Sequence, residues 1–102
     1  MYILTYDSQF KIDYKKFKKE HPELKPDLKN VLEQLRNKGT VEASYHPHIL
    51  NNWGGNYNGH YELHLSDGKV DVLVLYLPHK TNPTIRLVRL GSHGELFQGP
   101  AK

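Results

Sequence analysis

Residues 70–77 read VDVLVLYL, an almost continuous apolar run. A strand with one wet face alternates apolar and polar residues. A run without that alternation suits a strand at the centre of a sheet, covered on both faces. Its partners can be sought on either side. From His60 to Leu65 the chain does alternate, with His60, Glu62 and His64 on one face and Tyr61, Leu63 and Leu65 on the other. Ser66-Asp67-Gly68-Lys69 between the two is a hairpin signal. Beyond the connection Pro78–Pro83, Thr84–Leu90 reads as a last strand, and Tyr2–Tyr6 as a first one.

The rest of the first half has helical spacing. Phe10, Tyr14 and Phe17 recur three and four apart with lysines between them, and Asp7 or Ser8 could cap that helix. His21-Pro22 should end it, because the residue before a proline disfavours helical dihedrals. Leu28, Val31, Leu32 and Leu35 form a second stripe, with Asn37-Lys38-Gly39 as its stop. Both stripes read as core. Thr40–Tyr57 has no period and reads as a long irregular loop holding the only tryptophan, Trp53. One strand, two helices and three closely connected strands predict an α+β fold. It is an antiparallel twisted sheet with both N-terminal-half helices packed on one face. At 102 residues, a single domain over 1–102 is expected.

Several function classes are closed by composition. The chain has no cysteine, which removes disulfides, thiol catalysis and cysteine-based zinc sites. No apolar run approaches the ~20 residues that span a bilayer, and the first residues lack a signal-peptide pattern, so the cytoplasm is expected. The formal charge is +3. Lys15, Lys16, Lys18 and Lys19 cluster, with Lys11, Lys25 and Lys29 around them. They are either a solvated helix face or a surface that contacts phosphates.

Histidine is the over-supplied reactive type, with seven in 102 residues. His46, His48, His60, His64 and His93 fall in segments read as loop or strand edge; His79 and His60 read as surface residues. An imidazole both takes and gives a proton near neutral pH. Their spacing matches no closed zinc signature, and HYELH is not the helical HExxH motif, so no metal and no cofactor are expected. A metal-independent ribonuclease needs a base for the ribose 2′-hydroxyl, an acid for the departing 5′-oxygen and a cation for the phosphorane. His48, His64, Asp71, Arg89 and His93 supply those types. Phe97 or Trp53 could stack on an unpaired base. Arg89 shares parity with Ile85 and Leu87. It is either a phosphate-binding group on an apolar side or a rim residue meeting solvent or Asp71. The two glycines in RLGSHGELF, residues 89–97, argue for a strand end and a turn rather than a helix.

That tail resembles the closing R-x-G-x-H-x-x-L-F of the YafQ branch of RelE-like toxins. HILNNWGG (residues 48–55) is similar to the family's H-x-L-x-x-x-W-x-G stretch. His64 followed by DVLVLY (residues 71–76) resembles its H-x-x-x-D-W-I-L-I-Y strand pair, and YDSQFKIDYKKF (residues 6–17) its first helix. The loop from His48 to Trp53 is one residue shorter than the pattern, the link from His64 to Asp71 is longer, and Val72 replaces a tryptophan. The resemblance implies a RelE-like, microbial-RNase-like fold with catalytic groups on the open side of the sheet. It also implies ribosome-dependent cleavage of mRNA in the decoding site and a cognate antitoxin partner. On that carry-over His93 is the general acid, and His48, His64 or Asp71 the base. Arg89 stabilises phosphate charge, Phe97 positions a base and the lysines meet ribosomal RNA. The alternatives are a catalytically silent RNA- or partner-binding domain on the same fold, and a metal-dependent hydrolase.

Overall fold

The computed structural model describes residues 1–50, 59–66, 70–79 and 81–97. Strand β1 (Ile3–Tyr6) leads into α1 (Ser8–Glu20) and, after a short 3-10 turn, α2 (Lys25–Lys38). A second such turn, Ala43–Tyr45, precedes β2 (His48–Ile49). Then come β3 (Tyr61–His64), β4 (Leu73–Pro78), β5 (Thr84–Gly91) and a short helix α3 (His93–Phe97). The sheet order is β1-β5-β4-β3-β2. The strands from β2 to β5 run antiparallel as expected, while β1 lies parallel to β5 and makes the sheet mixed. The α1–α2 pair is a crossover long enough to return the chain in the same direction, which a parallel pair requires.

The apolar stripes pack as read. Phe10 and Phe17 of α1 and Leu28, Val31 and Leu35 of α2 share one core with Leu63, Val74, Tyr76, Ile85, Leu87 and Leu90 of the sheet. Leu73, Leu75 and Val88 point the other way and form a smaller core with Leu96 of α3. VDVLVLYL is therefore a central strand with apolar cover on both sides. Its strand proper starts two residues after Asp71, which is exposed.

The helix ends follow local chemistry. His21 caps the C-terminus of α1 before Pro22, and Gly39 closes α2 in the left-handed region at φ 77°. Asp7 stands at the α1 N-cap, yet its carboxylate binds Arg86 instead of the helix.

Two further sequence expectations change, beside the parallel placement of β1. The stretch 40–57 contains the Ala43–Tyr45 turn and β2, which is two residues long and too short to show a period; residues 51–57 of the expected loop lie outside the described residues, as do 67–69 of the hairpin signal. The tail is not simply a turn, since His93–Phe97 is helical. The reason is a capping box that offsets Gly94: the Ser92 hydroxyl accepts from Glu95 N at 3.2 Å, and the Glu95 carboxylate accepts from Ser92 N at 2.9 Å.

Candidate active site on the open sheet face

Register builds the site. Opposed residues of adjacent strands share a face. His48 pairs with Glu62, Glu62 with Leu75, and His64 with Leu73. Leu73 and Leu75 face away from α1 and α2, so His48, Glu62 and His64 do as well. His93 reaches the same place because it opens α3, which is anchored by buried Leu96 against Leu73 and Leu75.

At the centre is Glu62, 4% exposed and the one buried charged residue among those described. Its Oε2 lies 2.7 Å from His48 Nε2 and 3.9 Å from His64 Nε2, and its Oε1 lies 3.7 Å from His93 Nε2. The imidazole centroids of His48 and His64 are 6.0 Å apart, and those of His64 and His93 5.9 Å. Two outer contacts orient the rings. His48 Nδ1 donates to the His46 carbonyl at 2.9 Å, with His46 held in the left-handed region at φ 50°. His93 Nδ1 lies 2.6 Å from Asp71 Oδ1, and His93 N donates to Asp71 Oδ2 at 3.1 Å.

These contacts constrain protons. A carbonyl only accepts, so His48 Nδ1 carries a hydrogen. Two bare acceptors would repel at 2.7 Å, so a proton also lies between His48 Nε2 and Glu62. Burial pushes the His64 imidazole below its ordinary range, and the nearby imidazoles add to this against the pull of Glu62. The cluster thus holds a proton on one member and favours an unprotonated ring on another, which is the pairing that acid–base chemistry requires.

Four expected residues, His48, His64, Asp71 and His93, converge here. Arg89 is placed differently from its parity. A bulge at Val88 inserts one residue opposite the Leu75–Tyr76 step, so that Leu90, not Arg89, joins Ile85 and Leu87 in the helix-side core. Arg89 instead pairs with Leu75 and starts in one row with Glu62 and His48. Its Nε and Nη2 donate to Asp13 of α1 at 2.7 and 3.3 Å, and Asp13 also accepts from Leu90 N at 3.0 Å. Asp13 is the partner the sequence reading did not consider. It serves the outer edge of β5 where β1, which pairs only as far as Leu87, has ended.

The lysines do not form one surface. Lys16 is paired with Glu95 of α3, and Lys18 lies over the Tyr14 ring. Lys15 and Lys18 line a groove of about 970 Å³ between β1, α1 and α2, floored by Leu4, Phe10 and Leu28. Lys19 is exposed. Phe97 ends α3, and Trp53 lies outside the described residues. His60 is half-buried, not a surface residue, whereas His79 is exposed as read.

Glu62 was missed as a functional residue. The signal was available: it alternates with His60 and His64 on one strand face. A polar strand face reads as wet, and only the neighbouring strand and α3 bury it.

A family model described as "Bacterial toxin of type II toxin-antitoxin system, YafQ" matches residues 2–98. The chain belongs to the YafQ toxin family. Among solved structures, a metal-bound toxin from Helicobacter pylori is 32% identical, with a TM-score of 0.76 over 95% of this chain and 100% of that one. The YafQ chain of the Escherichia coli DinJ–YafQ complex is 25% identical, with a TM-score of 0.74 over 94% and 98%. A Staphylococcus aureus YoeB–YefM toxin–antitoxin complex, 17% identical with a TM-score of 0.65 over 91% and 98%, shares the fold. No curated protein matches by sequence. The chain shares the α+β fold of these toxin structures, and none of its described helices is long and apolar enough to cross a membrane.

Proposed function

We propose that this YafQ-family toxin is a ribosome-dependent mRNA endonuclease of the cytoplasm, needing no cofactor, and that a cognate antitoxin restrains it. The observation that carries the reading is the buried carboxylate ringed by three imidazoles on the open sheet face, two of them, His48 and His93, held by outer contacts. His64, kept unprotonated by burial, takes the proton of the ribose 2′-hydroxyl. The 2′-oxygen attacks phosphorus and the bond from phosphorus to the 5′-oxygen breaks. His93, aligned by Asp71, gives the leaving oxygen its proton. The products are a 2′,3′-cyclic phosphate and a 5′-hydroxyl. His48 and Glu62 supply and hold the shared proton. Arg89, steadied by Asp13, offers positive charge to the phosphorane. Phe97 and Trp53 position bases, and Lys15, Lys16, Lys18 and Lys19 meet ribosomal RNA. The toxin–antitoxin complexes among its relatives support the antitoxin partner.

Translation-coupled cleavage of an mRNA tests this. His93→Ala should lose at least ~100-fold in rate, the scale of a general acid, and Arg89→Ala should also lose activity. A 2′-deoxynucleotide at the cut position should block cleavage. Unchanged cleavage by a folded His93→Ala protein would falsify the mechanism. A wild type that binds ribosomes without cutting would instead favour a silent binding domain.

A further inference from the structure

The Glu62 cluster has the construction of a metal site as well as that of an acid–base site. His48, Glu62 and His64 each offer one donor atom, all within 4.8 Å of one another. In a tetrahedral zinc site, ligand bonds near ~2.1 Å put donors about 3.4 Å apart. The two separations from Glu62 Oε2, 2.7 Å to His48 Nε2 and 3.9 Å to His64 Nε2, straddle that figure, and the third is no more than 4.8 Å. Two imidazoles and one carboxylate are a three-ligand set that leaves a fourth position open. The outer contacts fit as well. A metal-binding histidine usually donates its other ring N–H to a carbonyl or carboxylate, which aims the ligating nitrogen inward. His48 does so to the His46 carbonyl. His93, with Nδ1 on Asp71, borders the open side with its Nε2 3.7 Å from Glu62.

We propose that His48, Glu62 and His64 bind a borderline divalent ion of the zinc class, and that the bound ion switches off RNA cleavage. The ion takes the place of the proton now shared by His48 and Glu62 and occupies the lone pair that His64 would use as a base. Metal and substrate chemistry therefore compete for the same atoms. The ion is an inhibitor here, not a cofactor. The inhibitory half of this inference rests on the ribonuclease reading; the binding half does not.

The experiment has two arms on the intact toxin. Calorimetric titration with Zn²⁺, in two buffers of different ionisation enthalpy, should give one ion bound and about one proton released per ion. Mg²⁺, which prefers oxygen ligands, should not compete. His48→Ala and Glu62→Gln should each weaken Zn²⁺ at least ~10-fold. His48 is an exposed side chain whose removal leaves the core intact. His79→Ala, at the far end of β4, should bind as the wild type does. Equal affinity in His48→Ala and the wild type, or equal binding of Mg²⁺, overturns the site. In the second arm, toxin loaded with Zn²⁺ and desalted should cleave mRNA at least ~10-fold more slowly than metal-free toxin, and EDTA treatment of the toxin before assay should restore it. Faster cleavage by the loaded form overturns inhibition. Zn²⁺ binding by a toxin that never cuts RNA would leave the site standing and sink the ribonuclease reading instead. Cleavage without Zn²⁺ binding would do the reverse.

Discussion

Removing the Asp13 carboxylate tests how the Arg89 end of the sheet is held. Asp13→Ala deletes four hydrogen bonds: two from the Arg89 guanidinium, one from Leu90 N and an exposed one from Gln9 Nε2 of the same helix, which solvent can replace. The two side chains are only 10% and 13% exposed, so water replaces the lost partner poorly. Bonds to a charged group contribute about 1.5–3 kcal/mol, and a stranded buried charge can cost 3–5 kcal/mol. Partial exposure places the expected loss near the lower of these, at about 3 kcal/mol. In urea, with a slope of about 1–1.5 kcal/mol per molar for a small domain, the midpoint should fall by roughly 2–3 M at unchanged slope. A double-mutant cycle with Arg89→Met separates the pair from the backbone contact. The double variant should recover part of the loss, because it no longer buries an unpaired charge. A midpoint shift below about 0.5 M for Asp13→Ala would refute the reasoning and show that solvent serves Arg89 and Leu90 as well as Asp13 does.

Other perturbations read other parts of the fold. Gly39→Ala should destabilise by about 2 kcal/mol or more in thermal unfolding, since a left-handed residue with a Cβ costs about 1–2 kcal/mol and the Tyr2 ring would lie 2.5 Å from that Cβ. The bonds from Lys16 and from Ser92 N hold the Glu95 carboxyl down at about 2. Its contribution should be complete above the ordinary value of 4.5 and vanish as pH falls from there to about 2, so Glu95→Gln and wild-type midpoints should converge over that range. For His64, lowered by burial, the unfolded chain binds the extra proton just below pH 6.5. Stability should therefore rise with pH up to about that point and flatten above it, and His64→Asn should remove that slope in a pH series of urea midpoints.

The apolar periods were enough to place most of the elements, because burial patterns are local and periodic. VDVLVLYL announced a central strand, and the stripes through Phe10, Phe17, Leu28, Val31 and Leu35 announced two helices on one face. The histidine-rich shortlist and the tail motif likewise came from the chain alone. Tertiary structure decided what those residues face. The parallel β1–β5 pair depends on a crossover whose ends meet only in space. One inserted residue at Val88 reversed the parity of Arg89, and no period in the sequence marks it. Glu62 looked like an ordinary acid on a wet strand face. It became the buried hub of the site because β2 lies along one side of β3 and α3 settles against β4, contacts set by register between segments far apart in sequence.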